Sequence, residues 1–459
     1  FDRMTEHVLE CIREGAEISP PHPRGPLPRS VPPGFPSAEL RSWLESRQIP
    51  ADFVQAVSVA VLREANRRYK DLPEDVAGPL SDVEQEYIGA WVKQNDAAWR
   101  EFAAGSAKSY CYRPYATDPN DKEKPLWSVL LPHLSSVKDL ARLGMWRSRI
   151  EREQSRIQES MEDYIAIARA GSHWQGKGMI VEQLVGLAIG GLARNEILSL
   201  LDAQKLSTSD LHNLQTRLSQ IYPDGYPLIN MEGERLFFMD VVQRSFTDGG
   251  PGGGHLIPGR WEELTDLTPS SGDARDKRYL MPFYTAVSMV HAGRDATIAK
   301  ANELYELQAK MVKMTPYHRD ACDLKMPDEI IFSTPRYRYF LIQTLMRASA
   351  RMSDITYRSK MGHQSTLTVL ALKRWRLEKD AYPQTIDELV AGGFLKELPM
   401  DPYSDKPLVY KKTDDNFILY SLGPNFKDDN GEVAMEHGRP RRWGTAEAGD
   451  IVLWPLPRS

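Results

Sequence analysis

Residues 377–410 read L-E-K-D-A-Y-P-Q-T-I-D-E-L-V-A-G-G-F-L-K-E-L-P-M-D-P-Y-S-D-K-P-L-V-Y, and residues 411–429 continue K-K-T-D-D-N-F-I-L-Y-S-L-G-P-N-F-K-D-D. A helix enters over 371–379 and cannot pass Pro383, which lacks an amide and clashes with the preceding turn. Thr385 is predicted as the N-cap of a short helix with Glu388 at the capping-box position and Ile386, Leu389 and Val390 as its apolar residues. Gly392 and Gly393 close that helix. Asp401-Pro402 and Ser404-Asp405-Lys406-Pro407 are turn signals. Beyond them Leu408–Lys411 and Asn416–Leu422 alternate apolar and polar residues, as two strands joined through Thr413-Asp414-Asp415.

Upstream the period changes to that of helices. Ser81–Ala103 carries a helical pattern with Trp91 and Trp99 on nearly one face, and Ala51–Tyr69 carries another. Ser135–Ala170 is a long amphipathic tract; Arg147, Arg149, Glu151, Arg152 and Glu153 mix both signs, the pattern of a solvated face. Met179–Leu201 is apolar nearly all round and is expected to be the central helix, with Leu184, Leu187, Ile189, Leu192 and Ile197 in the core. Gly186, Gly190 and Gly191 would let a neighbouring helix approach closely. Ser207–Ile221 opens on capping residues and packs Leu211, Leu214 and Leu218; Glu232–Phe246 packs Leu236, Phe237, Val241 and Phe246. The expected fold is mainly α, an irregular helical solenoid or bundle over 37–360. A small C-terminal α+β domain holds a short antiparallel sheet, with strands confined to the region after Leu395. The expected divisions are 1–36 (a helix, then a linker with eight prolines between Pro20 and Pro36), 37–250, 251–360 and 361–459.

A net charge of -5 gives no reason to expect nucleic acid or an anionic membrane as a partner. The longest apolar run, Leu184–Ala193, is half a membrane crossing and reads as a buried helix. Cys11, Cys111 and Cys322 form no motif; free thiols and one disulfide both remain open. The glycine-rich Thr247–Pro258 lacks the Gly-Lys-Ser/Thr ending of a phosphate loop and follows a helix, so it reads as a flexible excursion between helical blocks. None of the ten histidines has the spacing of a helical zinc site, and His318-Arg319-Asp320 lacks every companion of the kinase triplet it spells. No catalytic residue and no cofactor site is assigned.

The Tyr382-Pro383 step, the Leu398-Pro399-Met400-Asp401-Pro402 turn and the Tyr420-Ser421-Leu422-Gly423-Pro424 strand end occur in an order that resembles the C-terminal half of the major pseudopilin of type II secretion. The tract 138–219, with E-Q-L-V-G-L-A-I-G-G-L-A at 182–193, and E-G-E-R-L-F-F-M-D-V-V-Q at 232–243 is similar to planctomycete envelope proteins of unknown function that carry such a tail. The resemblance implies an extracytoplasmic, envelope location, with a membrane anchor lying outside this chain. It also implies a calcium site in the loop after Ser421, with Asp428, Asp429 and Asp450 as candidate ligands. The inserted basic segment Arg439-Pro440-Arg441-Arg442-Trp443 offers an arginine salt bridge as the alternative. The expected function is that of a non-enzymatic scaffold or binding protein acting in assembly or recognition of protein partners. A component of a secretion or pilus-like apparatus, and an all-α hydrolase, are the alternatives.

Overall fold

A computed structural model describes residues 82–112, 114–117, 125–131, 133–260, 274–322, 327–346, 349–436, 439–440 and 449–456. The helices expected at 1–18 and 51–69, the proline-rich linker and Arg441–Trp443 lie outside the described residues. The chain is mainly α-helical with a small C-terminal three-stranded antiparallel sheet. It divides into two compact units, residues 1–101 with 142–160, and residues 102–141 with 161–459.

In the first unit the helical tract expected over 81–103 is broken. Helix α1 covers Asp82–Gln94 and α2 covers Asp96–Ser106. Asn95 makes the break: its side-chain amide donates to the Trp91 carbonyl at 2.8 Å, competing with the backbone for the same acceptor. Trp99 is buried against Gly144 of α3 (His133–Glu153), where any side chain would occupy the indole's place. The charged stretch of α3 departs from the expected solvated face. Glu151 is buried, held by Arg147 at 3.0 Å and Arg156 at 3.7 Å. Ser155, in the left-handed region, ends the tract before α4 (Ile157–Ser172), so one expected helix becomes two.

The second unit is built around α5 (Ile180–Ala203). Glu182, in its first turn, accepts the Met179 amide at 2.8 Å and the Tyr115 hydroxyl at 2.6 Å, so the helix starts on a carboxylate. By length and apolarity α5 is the one helix among the described residues fit to cross a membrane. More than half of that stretch is buried, Gln183 and Glu196 with it, as befits a core helix. Leu187, Ile189 and Ile197 are buried as expected, while Leu184 and Leu192 are half-buried. Gly186 and Gly190 abut Gly171 of α4 backbone to backbone: a Cβ on Gly186 would lie 2.7 Å from the Gly171 carbonyl oxygen. Gly191 takes no part, since a Cβ there would meet nothing closer than the Arg194 guanidinium at 3.4 Å.

Helix α6 (Thr208–Ser219) opens on Ser207, which accepts the Asp210 amide in a full capping box, and buries Leu211, Leu214 and Leu218. Helix α7 covers Glu232–Ser245; Val241 and Phe246 are buried as expected and Phe237 is half-buried, but Leu236 is exposed, and Phe238 and Val242 join the buried face. These join a core with α8 (Ala274–Val290), α9 (Arg294–Val312), α11 (Pro327–Ser333) and α12 (Phe340–Leu345); α10 (Pro316–Ala321) lies between α9 and α11 in sequence. The glycine-rich segment is pinned instead of loose: Phe246 bridges Leu256, His255 donates its amide to Thr247, and the Arg294 amide donates to Gly254. Before residue 360, where strands were not expected, β1 (Ala116–Thr117) pairs antiparallel with β2 (Val129–Leu130) among the described residues.

Helix α13 (Ser349–Lys379) is 31 residues long; it packs on α5 and α6 and continues unbroken to the C-terminal sheet. Helix α14 (Asp387–Ala391) has Ile386 as its N-cap and so begins one residue later than Thr385 predicts, although Glu388 does accept the Thr385 amide at 3.0 Å. Gly392 and Gly393 close it. Strands β3 (Val409–Lys412), β4 (Phe417–Ser421) and β7 (Ile451–Trp454) form the sheet in that order, with β5 (Met435–Glu436) and β6 (Arg439–Pro440) a separate pair. Phe417 is the sheet's aromatic hub, 5.1 Å from Tyr382 and 6.0 Å from Trp454 between ring centres. Lys373 of α13 sits 4.7 Å over Trp454.

Asp401 fastens the turn to the sheet. Its carboxylate, almost wholly buried, accepts the Tyr403 and Leu422 amides at 3.0 Å, the Ser421 hydroxyl at 2.6 Å and the Ser404 hydroxyl at 3.1 Å.

Two outcomes follow from this packing. Gly186→Ala is expected to destabilise by about 1–3 kcal/mol through overpacking. Gly191→Ala is expected to stabilise by about 0.5–1 kcal/mol through helix propensity. Chemical denaturation of the two variants, with opposite signs, checks the assignment. Asp401→Ala leaves four donors unanswered and is expected to cost at least about 3 kcal/mol. Hydrogen exchange should show the loss first at the Leu422 and Gly423 amides.

Candidate functional site

The three aspartates expected as calcium ligands stand on one loop between β4 and β7, and each fastens backbone. Asp428 accepts the Tyr420 hydroxyl at 2.8 Å and the Asn430 amide at 2.9 Å. Asp429 accepts the Asn425 side-chain amide at 2.8 Å and the Gly449 amide at 2.7 Å, and these bonds hold its carboxyl below the usual range. Asp450 is buried outright and accepts the Gly431 amide at 2.6 Å and the Asp429 amide at 3.3 Å. Burial lifts the Asp450 carboxyl to about 6 against the pull of those two amides, and Asp428 and Asp429 add to the rise.

Three carboxylates on a loop suit a hard cation in donor chemistry. Among the described residues, however, no three His, Cys, Asp or Glu side chains are grouped to hold a metal ion. An ion at this loop would have to draw these oxygens from the amides they now accept. Arg439 begins β6, and the remaining arginines of the basic segment lie outside the described residues.

A second site was not foreseen from the sequence. Where α5, α6 and α13 meet the segment after α6, a cavity of about 20 Å³ is lined by Arg194, Tyr222, Tyr226, His363 and Thr366 among others. Tyr222-Pro223-Asp224-Gly225-Tyr226 is a tight turn in which the Gly225 amide donates to the Tyr222 carbonyl at 3.1 Å and Gly225 takes a positive φ. The turn folds the two phenols together, ring centres 4.5 Å apart, and His363 meets Tyr222 edge-on at 4.9 Å. Gly362, just before His363, leaves room for the Arg194 guanidinium, whose carbon would lie 2.7 Å from any Cβ there. Tyr226 and Ser359 share a hydrogen bond of 2.7 Å, and Arg194 donates to the Ser359 carbonyl at 3.3 Å. Burial, then the Arg194 charge, pushes His363 down to about 4; burial raises both tyrosines. The signal that could have found this site is the Tyr-Pro-Asp-Gly-Tyr turn, which sets two tyrosines on one side of a reversal.

His318 lies 3.2 Å from Asp405 and donates its amide to Thr315, so its triplet with Arg319 and Asp320 is the start of a capped helix, α10. His133 stacks on Trp174 at 5.3 Å. Cys111 and Cys322 are free thiols, and Cys11 lies outside the described residues.

The two raised or lowered groups pull stability in opposite directions with pH. Asp450 titrates above an ordinary carboxylate, so the folded chain takes up its proton first and gains stability as pH falls from about 7 to about 4. His363 titrates below an ordinary imidazole, so the unfolded chain takes up its proton first and stability is lost over the same fall. Thermal melts from pH 7 to pH 4 are expected to show Asp450→Ala losing the gain and His363→Gln losing the penalty. Calcium is tested by melting in calcium and in chelator: a rise with calcium that Asp428→Ala removes places an ion at the loop, and equal melting excludes it. No family model, no curated protein and no solved structure matches the chain.

Proposed function

We propose that this chain is a non-enzymatic scaffold or binding protein of the extracytoplasmic cell envelope, an irregular helical body carrying a pseudopilin-like tail that acts in assembly or protein-partner recognition. One observation carries the reading. Helix α13 runs from the helical body into the tail without a break, and the sheet β3-β4-β7 lies against its C-terminal half through Trp454 and Lys373. A long helix with a small antiparallel sheet on its flank is the arrangement the pseudopilin resemblance implies, and the motifs that carry the resemblance sit at its joints. Tyr382 packs on Phe417, and Asp401 binds the Ser421-Leu422 strand end.

Body and tail are further tied at Gln215 of α6, which donates to the Phe394 carbonyl at 2.7 Å and accepts from Arg374 at 2.8 Å. Arg358 donates to the Tyr403 hydroxyl at 2.8 Å. A tail fixed in this way supports a role in presenting surfaces at a set geometry. A pseudopilin working in a filament packs through its own leading helix, whereas here the long helix is enclosed by α5 and α6. This observation favours the scaffold over the secretion component.

The expected result in the native cell is an extracytoplasmic chain, accessible to added protease in cells stripped of their outer barrier. Photocrosslinkers placed at the exposed Leu236 and Met435 are expected to give discrete protein adducts. A deletion strain is expected to secrete its usual proteins. A chain confined to the cytoplasm sinks the reading, and a deletion strain blocked in secretion replaces it with the apparatus component.

A further inference from the structure

We propose that the cavity between α5, α6 and α13 is a binding site for a small monovalent anion, a halide or a single carboxylate group, held by Arg194, Tyr222, Tyr226 and His363. This inference stands apart from the reading of the tail. Its first support is the lining. Arg194, Tyr222, Tyr226, His363 and Thr366 line the cavity, and among the described residues no carboxylate lines it. Guanidinium and hydroxyl groups are donors, and a site furnished with donors selects an occupant that accepts.

The second support is how the donors are fixed. The Arg194 guanidinium lies against Gly362, where no side chain competes for its place, and its reach to the Ser359 carbonyl sets its plane. The Tyr226 hydroxyl shares a 2.7 Å hydrogen bond with Ser359, and the Tyr222 and Gln175 side chains lie beside it. Gln175 is itself buried and anchored by its donation to the Gly186 carbonyl at 3.1 Å, so the chain of bonds starts from the α4–α5 contact. His363 stays neutral at neutral pH, since burial and Arg194 push it down to about 4. It therefore offers one N–H without adding a charge to be balanced.

The third support is size. A cavity near 20 Å³ exceeds the roughly 10–15 Å³ that a water molecule needs and so has room for a small ion. The apolar walls, Ile197, Leu218 and Ile221, keep the local dielectric low and strengthen each donor.

The test uses the full chain. Crystals soaked in sodium bromide are expected to show one anomalous peak between Arg194 and the two tyrosines. In solution, sodium chloride is expected to raise the melting temperature saturably over sodium sulfate at matched ionic strength. Arg194→Gln is expected to weaken chloride at least tenfold, Arg194→Lys to restore part of it, and Tyr226→Phe to weaken it severalfold with the fold intact by circular dichroism. Sodium formate that displaces bromide identifies the carboxylate as an accepted ligand, and formate that does not leaves the halide as the source. An ordered water in place of bromide, with chloride and sulfate giving equal melting, overturns the proposal.

Discussion

A carboxylate taken out of water is tolerable only when its lone pairs are filled, and Asp401 shows what the tail does to fill them. Two backbone amides and two hydroxyls converge on it from both sides of the sheet's edge. Because Tyr403 and Ser404 belong to the turn while Ser421 ends β4 and Leu422 follows it, the carboxylate joins segments about twenty residues apart in sequence. Once joined, they set the register of β4 against β3 and of β7 against β4, and Phe417 is carried inward between Tyr382 and Trp454. The aromatic core is therefore downstream of one ionic constraint. The same logic repeats in the loop that follows, where Asp428, Asp429 and Asp450 spend their oxygens on backbone amides of a segment poor in apolar residues.

In the helical body the governing constraint is the absence of side chains. Gly171 against Gly186 and Gly190 brings α4 and α5 to backbone contact, and Gly362 does the same service for the Arg194 guanidinium beside α13. The cavity is a product of these approaches: Arg194 and His363 become neighbours because glycines on two helices remove what would hold them apart. Gln175 ties the two regions, donating to Gly186 at the helix contact and reaching the Tyr222–Tyr226 pair at the cavity.

Local chemistry was the legible part. The short C-terminal helix, its glycine stop and the hairpin declare themselves through residues whose partners lie a few positions away, and so does the Ser207 cap. What failed were inferences needing a tertiary partner. Glu151 looks solvated because its sequence neighbours are charged, yet Arg147 and Arg156 carry it inside. Leu236 and Phe238 fit the same helical pattern, and only the neighbours of α7 decide that Phe238 is the buried one. Asn95 and Ser155 break helices through a side-chain bond and a left-handed residue that a periodicity argument does not weigh. Of the candidate site, the aspartates could be named from the sequence, but their use on amides could not. The cavity was hidden because Arg194, the Tyr222–Tyr226 turn and His363 are spread over 170 residues, and a polar cluster assembled from three elements has no spacing to read.

The chemistry of the cavity also bears on what kind of protein this is. A hydrolase site needs a base able to hold a proton near working pH, and proton-transfer catalysis is most effective when the pKa lies close to that pH. His363, pushed to about 4 by burial and by Arg194, is several powers of ten too weak a base at neutrality. The tyrosines are displaced the other way and keep their protons. All three groups thus sit far from their titration points near pH 7, in fixed protonation states, beside a guanidinium that is always charged. Groups locked in this manner are suited to holding a ligand by constant donors and unsuited to passing protons. The burial that makes this cavity a poor place to pass protons is the same one that keeps its donors constant, which is the property the anion proposal draws on.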